Sequence, residues 1–380
     1  MEEWKEYKLG DILNFRRGHD LPKSEMRAGN IPVAGSNGII GYHDTATPVS
    51  PCITIGRSGN VGTPYIYDKC WAHNTVLYVD DFKGNNPLYL FYLLKTLPLS
   101  SFGGGSAVPT LNRNHIHPLL VHHTSDLKLQ ERIAKLLKSL DDKIECNRRI
   151  NDNLEKQAQA LFKSWFVDFE PFKDGEFMES EMGMIPKRWK VKSLSGIADY
   201  RNGLAMQKFR PLDGEIGLPV LKIKELGQGL CDDSSELCSP SMIGEKYIVN
   251  DGDIIFSWSG TLMVKLWCGG KCGLNQHLFL VDPQGFPNWF VYQWTKHHLD
   301  NFIRIAKDKA VTMGHIKRGE LDKAKVVVPN EKGMCNINAL MEPLFKQTIA
   351  IQIESRRLAQ LRDTLLPRLM SGELKVEAGF

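Results

Sequence analysis

The chain repeats itself. The stretch "WKEYKLGDILNFRRG" (Trp4 to Gly18) returns 185 residues later as "WKVKSLSGIADYRNG" (Trp189 to Gly203), with the same spacing from Trp to Gly. Three further blocks follow in the same order. "ITIGRSGNVG" is echoed by "IIFSWSGTLM", aligning Gly59 with Gly260, and "HNTVLYVD" by "NQHLFLVD", aligning Asp80 with Asp282. "PLYLFYLLKTL" from Pro87 meets "PNWFVYQWTKHHL" from Pro287, both reading as aromatic helices that pack on a sheet. The offset drifts by a few residues between blocks, as in diverged domains and unlike a solenoid of fixed short period. At 380 residues the chain also exceeds the roughly 100–200 residues of one domain, so two globular heads are expected.

Each head is followed by a heptad helix. Stepping by four and three from Ile133 lands on Leu137, Leu140, Ile144, Asn147, Asn151, Leu154, Ala158, Leu161 and Trp165. Adding 204 gives Ile337, Met341, Leu344, Thr348, Ile351, Ser355, Leu358, Arg362, Leu365 and Leu369, again mostly apolar. A period of 3.5 held this long predicts a coiled-coil seam rather than two separate amphipathic helices. Asn147 and Asn151 in the seam would set register at a cost in stability. Pro343 suits an opening turn, and Pro367 should end or kink the second helix. Only the 18 residues "EPFKDGEFMESEMGMIPK" separate Phe169 from Arg188. A parallel pair would need a return path of about 50 Å, at roughly 1.5 Å per residue, so the helices should run antiparallel. A pseudo-twofold dumbbell follows, its spacer longer than one turn of DNA at roughly 3.4 Å per base pair.

Short β-branched and aromatic runs such as "PCITIG", "TPYIYD", "DIIFSW" and "AKVVVP" lie between Gly, Pro, Asn and Asp punctuation, so both heads read as mixed α+β units. The expected domains are a first head at 1–125, a central helix at 126–170, a linker at 171–187, a second head at 188–330 and a C-terminal helix at 335–375. Lys and Arg minus Asp and Glu gives 11 − 10 = +1 for 1–125, 9 − 9 = 0 for 126–170 and 19 − 15 = +4 for 188–330. The small excess thus lies in a head. Seven of the eleven His fall in 1–125 and would add charge at mildly acidic pH. Without a stretch of about 18 apolar residues or an apolar leader, the chain is expected to be cytoplasmic, with its eight Cys reduced.

The order head, heptad helix, head, heptad helix carries "LDDKIECNRRINDNLEKQAQALFKSWFVDFEP" in the middle, "MIPKRWKVKSL" opening the second half and "LAQLRDTLLPRLMSGEL" near the end. In these motifs the chain resembles the specificity subunit of type I restriction-modification systems, over essentially its whole length. The heads match loosely, as target recognition domains of that family do. The resemblance implies that each head reads one half of a bipartite asymmetric DNA site while the antiparallel coiled coil measures the spacer. It also implies that two methyltransferase subunits dock on the helices and methylate adenine with S-adenosylmethionine. Motor and nuclease subunits would join to cleave unmodified DNA with ATP and Mg. None of those cofactors would sit on this chain, which would be non-catalytic by itself.

The residues themselves agree. An adenine methyltransferase needs an Asn-Pro-Pro-aromatic or Asp-Pro-Pro-aromatic loop, and the nearest match, "NPLY" (Asn86 to Tyr89), has Leu where Pro is required. "IGRSGNVG" lacks the Lys of a phosphate loop and reads as a turn. Cys231, Cys238, Cys268 and Cys272 are spaced seven, thirty and four apart, not as paired C-x-x-C knuckles, so no metal site is expected. The acidic pairs in "VDDFKG" and "LDDKIE" suit solvated surfaces better than a nuclease. Two readings remain beside the resemblance: a homodimeric coiled-coil DNA-binding regulator, disfavoured because one chain already carries two heads, and a self-sufficient DNA endonuclease or methyltransferase.

Base edges and phosphates are met by Arg, Lys, Asn, Gln and hydroxyl side chains. In the first head the candidates are Arg16, Arg17, His19, Asn37, Arg57, Ser58, Asn60, Ser106 and Arg113. In the second they are Gln207, Lys208, Arg210, Lys222, Lys224, Ser257, Ser259, Lys265, His315, Lys317 and Arg318. On the helices, Arg148 and Arg149 in "NRRI" and Arg356 and Arg357 in "SRRL" are expected to face DNA or a docked partner. Phe162, Trp165, Phe166 and Phe169, with Leu365 and Leu369 at the other end, are expected to anchor a partner subunit or the second head.

Overall fold

A computed structural model describes residues 4–103, 110–308 and 316–376; candidates Ser106 and His315 lie outside them. The chain divides into two compact units, 1–143 with 358–380, and 144–357. Each is an α+β body, and the two share one topology.

In the first unit, strand Trp4–Lys8 pairs antiparallel with Leu120–Thr124. A four-stranded sheet has the order Asn14–Arg17, Val76–Asp81, Cys52–Gly56, Pro64–Tyr67. "CITIG" is buried at all five positions because this inner strand is covered on both faces. In the second unit Lys190–Ser193 pairs with Lys325–Val328. Its sheet runs Ala198–Asn202, Leu278–Pro283, Ile254–Ser257, Met263–Leu266, the same order. The terminal Gly of the repeated motif plays the same part twice. Gly18 N–H donates to the Val76 carbonyl (3.0 Å) and Gly203 N–H to that of Leu278 (3.1 Å). A Cβ would stand 2.0 Å from the His73 oxygen in one head and 2.2 Å from the Leu274 oxygen in the other, so only glycine fits.

The aromatic helices also match. Pro87–Thr96 opens with Asn86 accepting from Tyr89 N–H (3.0 Å) and buries Tyr89, Leu90, Leu93 and Leu94. Asn288–His297 buries Trp289, Phe290, Val291 and Trp294.

The central helix spans Leu127–Phe166 and the C-terminal helix Glu331–Met370. No seam position read from the heptads is exposed in either. Their direction is visible inside each unit. In the second, Asn147 Nδ2 donates to Glu354 Oε2 (2.8 Å), while Glu155 and Ala158 line one apolar crevice with Met341, Leu344 and Thr348. In the first, Arg362 donates to Asp141 (2.5 Å), and Leu129, Ile133 and Leu137 share a core with Leu366, Leu369 and Met370. One number rises as the other falls, so the paired stretches are antiparallel in both units.

Three expectations need correction. The C-terminal helix starts at Glu331, so Pro343 lies in its interior, not its opening turn. The buried residues flanking it, Met341 and Phe345, supply packing that outweighs the roughly 3 kcal/mol of an internal proline. Pro367 does not end the helix, which continues to Met370: the stop comes at Gly372, at φ +76, where a Cβ would also meet the Trp4 indole at 2.6 Å. Residues 171–187 are not a plain linker, since Phe177–Ser180 and Gly183–Pro186 form a hairpin.

Burial works against the charge that the composition suggested three of the first head's histidines would add in mild acid. His123 is 2% exposed, between Tyr7 (5.2 Å) and Tyr89 (5.7 Å), and burial pulls its pKa down to about 4. Burial also lowers those of His73 and His117. Because the folded value of His123 lies below the unfolded one of about 6.5, its neutral-state contribution is complete above that pH and is lost as pH falls toward 4. His123→Phe, which keeps an aromatic ring between the tyrosines, should flatten the pH slope of the first unit's unfolding free energy across that window. The change in urea titrations should reach about 1.4 kcal/mol per pH unit at its steepest, leaving a slope of the same sign from His73 and His117.

Candidate nucleic-acid interface

Three separate segments of the first head meet at one cleft. The strand Asn14–Arg17 buries Phe15 and leaves Arg16 and Arg17 exposed beyond a bulge between Asn14 and Phe15. The Gly-rich loop after Cys52–Gly56 presents Arg57. That loop is held by its backbone: Arg57 N–H and Ser58 N–H donate to the Thr75 carbonyl (2.8 and 3.2 Å), and Gly62 N–H to that of Gly56 (2.9 Å). A Cβ on Gly56 would sit 1.8 Å from the Asn60 oxygen. The Ser36 hydroxyl lies 2.5 Å from the Ser58 carbonyl and 2.9 Å from that of Thr75. The third segment docks through Leu111 N–H on the Arg57 carbonyl (2.7 Å) and delivers Arg113, whose Nη1 donates to the Phe15 carbonyl (3.1 Å).

The result is a cleft of about 420 Å³ lined by Arg16, Arg17, Arg57 and Arg113 with Thr110, Asn112, Leu77 and Leu111. Four candidates chosen for their chemistry thus converge. Thr110 and Asn112 were missed; Asn112 accepts from Asn114 N–H and so starts the turn that carries Arg113. Asn37 and Asn60 are exposed on neighbouring turns, whereas His19 is half-buried against Trp71 and Tyr78, and Ser58 is half-buried where its main chain bridges to Thr110.

The second head repeats the scaffold with other side chains. Ile316 N–H donates to the Trp258 carbonyl (3.2 Å), as Leu111 does to Arg57, and Arg318 Nη2 to the Tyr200 carbonyl (2.6 Å), as Arg113 does to Phe15. By these contacts and the motif alignment, Arg201 stands for Arg16, Asn202 for Arg17, Trp258 for Arg57 and Arg318 for Arg113. Arg201 lies 3.2 Å from Asp282 and 3.6 Å from Asp199, and Arg318 3.6 Å from Asp199. Lys222 (2.5 Å) and Arg210 (3.2 Å) share Glu236, which they hold below the ordinary carboxylate range, and Lys224 faces Asp232 (3.7 Å).

Two candidates here are corrected. Ser257 is wholly buried, its hydroxyl turned to the carbonyls of Ser259 (3.2 Å) and Thr261 (2.8 Å); Ser259 is buried against His277 Nδ1 (3.1 Å). The Ser257 hydroxyl secures its own turn and that of Ser259 ties the turn to His277, so neither is turned to a base. Lys265 is half-buried, donates to the Gly227 carbonyl (2.8 Å), and has its pKa lowered by burial. Gln207, Lys208 and Lys317 are exposed.

The helix candidates also separate. Arg148 and Arg149 are exposed and paired with Glu145 (2.7 and 3.0 Å), whose carboxyl Arg148 first and Arg149 next hold at about 2. Arg357 is exposed, but Arg356 clamps Asp251 with both terminal nitrogens (2.7 and 2.9 Å) and reaches the Cys268 carbonyl, so "SRRL" and "NRRI" are not equivalent surfaces. Phe162 and Phe166, 4% and 2% exposed, stack on each other and pack on Trp294, with Phe166 also against Trp189 and Phe290. They are core of the second unit and offer no free face. Trp165 and Phe169 are half-buried at its edge; Leu369 is buried in the first unit, with Leu365 packed beside it.

Similarity to known proteins is extensive. The type I restriction modification DNA specificity domain matches residues 1–156 and 186–362. The chain is 30% identical over 302 residues to the type I restriction enzyme MjaIX specificity subunit of Methanocaldococcus jannaschii, covering 76% of this chain and 69% of that protein. It is 25% identical over 311 residues to the HindI specificity subunit of Haemophilus influenzae, covering 66% and 68%. Its fold matches the crystal structure of a type I restriction-modification S subunit from M. genitalium at a TM-score of 0.63 and 14% identity, over 97% of this chain and 96% of that one.

The burial of Phe166 makes a direct prediction. Phe166→Ala should lower the second unit's unfolding free energy by about 3–5 kcal/mol, the range for an emptied aromatic site. Urea unfolding followed by emission of the surrounding tryptophans reads it; stability unchanged within about 1 kcal/mol would return the side chain to the surface.

Proposed function

The chain belongs to the type I restriction-modification DNA specificity family, and from that membership we propose that its two heads read the two halves of a bipartite, asymmetric DNA site. One observation carries the proposal. A single scaffold, repeated down to its glycine contacts and its arginine-to-carbonyl bonds, presents different side chains at equivalent positions. Arg17 and Arg57 in one head answer to Asn202 and Trp258 in the other. Identical heads would read identical half-sites; these cannot.

The long helices take the remaining roles. Their antiparallel stretches set the spacing between half-sites, and their exposed faces, with Arg148, Arg149 and Arg357, dock two methyltransferase subunits. Those subunits bring S-adenosylmethionine and methylate adenine. Motor and nuclease subunits join with ATP and Mg to cleave unmodified DNA. The specificity chain contributes recognition and no reacting group, and it works in the cytoplasm. Among the described residues no helix is long and apolar enough to cross a membrane.

Co-expression with candidate methyltransferase subunits tests this. Adenine methylation at one bipartite sequence should require both components, read by sequencing of methylated DNA. Methylation by this chain alone, or a palindromic target bound by a dimer of it, would overturn the reading.

A further inference from the structure

The two heads differ in more than which bases they face. In the first, four guanidinium groups line one cleft, and among the described residues the sole carboxylate within ion-pair range of any of them is Asp20, 4.0 Å from Arg17 with both side chains largely exposed. Arg57 has no ion pair among the described residues. Arg113 and the backbone around Arg57 are fixed by hydrogen bonds, so the charges cannot spread apart by moving the chain. Like charges gathered without counter-charges are costly until a polyanion enters. At the counterpart positions of the second head the charge is already answered. Arg201 has Asp199 and Asp282, Arg318 has Asp199, and Trp258 replaces Arg57. Net charge points the other way, +4 for the second head's residues against +1 for the first. Pairing, not the count, decides what a phosphate meets.

We propose that the first head's cleft is a phosphate clamp for the backbone of duplex DNA, and that its counterpart in the second head is not. Arginine suits this because its fork meets phosphate oxygens in pairs. Each phosphate neutralised releases condensed counterions, which steepens the salt dependence of binding by about 0.9 per contact. The first half-site is therefore held by salt-sensitive contacts at this cleft, and the second by neutral donors and its remaining basic side chains.

The inference rests on the proposed DNA-reading function, and its test separates the two. The full chain is used to select duplexes from a random-sequence pool, and binding is measured over a KCl series on both the enriched and the unselected duplex. Arg16→Ala and Arg57→Ala should each make the slope of log affinity against log salt shallower by about 0.9, and the double variant by about twice that. Arg57→Lys should keep the parent slope, since the charge remains. Arg201→Gln, at the counterpart of Arg16, should leave it unchanged. Unfolding midpoints of all variants show that the folded chain is being compared. Slopes unaffected by Arg16→Ala and Arg57→Ala, or an equal loss with Arg201→Gln, overturn the clamp even where a sequence is enriched. Failure to enrich any sequence overturns the reading of DNA sequence, while the unselected duplex still decides the clamp.

Discussion

Neither head closes its core with its own sheets. Each is finished by helix-borne side chains: Ile133, Leu137, Leu366 and Leu369 in the first unit, and Phe162, Phe166, Ile337 and Met341 in the second. Burial of such a residue contributes about 1.5–3 kcal/mol, so a set of four rivals the whole net stability of a typical domain. The helices are thus structural parts of both heads. Ile133, Leu137, Ile337, Met341 and Leu369 are seam positions by the heptads and core residues of the heads at once, so toward the helix ends one apolar row serves both contacts.

That double duty explains what the sequence revealed and what it concealed. The repeat, the α+β heads and the seam were legible because each leaves a periodic trace, and only glycine fits where Gly18 and Gly203 meet a carbonyl. The destination of Phe162 and Phe166 was not legible. An apolar face meeting a head has the same composition as one meeting another protein, and only the placement of Trp189, Phe290 and Trp294 distinguishes them. Pro343 misled for a related reason: local propensity is about 3 kcal/mol, and packing on both sides of the proline exceeds it.

The candidate site divided along chemical lines. A guanidinium is rarely buried, so Arg16, Arg17, Arg57 and Arg113 were bound to reach a surface. Their convergence needed three strand and loop segments to meet and left no local signal. Small hydroxyls fared worse. Ser257 and Ser259 suit base edges, yet the first finds backbone carbonyls within its own turn and the second the His277 ring. Arg356 was lost to Asp251, a partner 105 residues away that no helix periodicity announces.

The contacts that shape the cleft are largely independent of the side chains that would meet the DNA. The Arg57 loop is tied down by main-chain N–H and carbonyl groups, and the equivalent bond in the second head persists with Trp258 in place of arginine. A scaffold secured by backbone bonds, by glycines at close approaches and by one conserved geometry of arginine on a carbonyl leaves its rim residues free of structural duty. Arg57 and Trp258 differ in charge, shape and hydrogen-bonding capacity, yet each sits on the same strand-to-loop junction with the same main-chain partner. Changing what a head meets therefore requires no change in how it folds. The residues that cannot vary are those whose replacement would bring a Cβ against a carbonyl or empty an aromatic site.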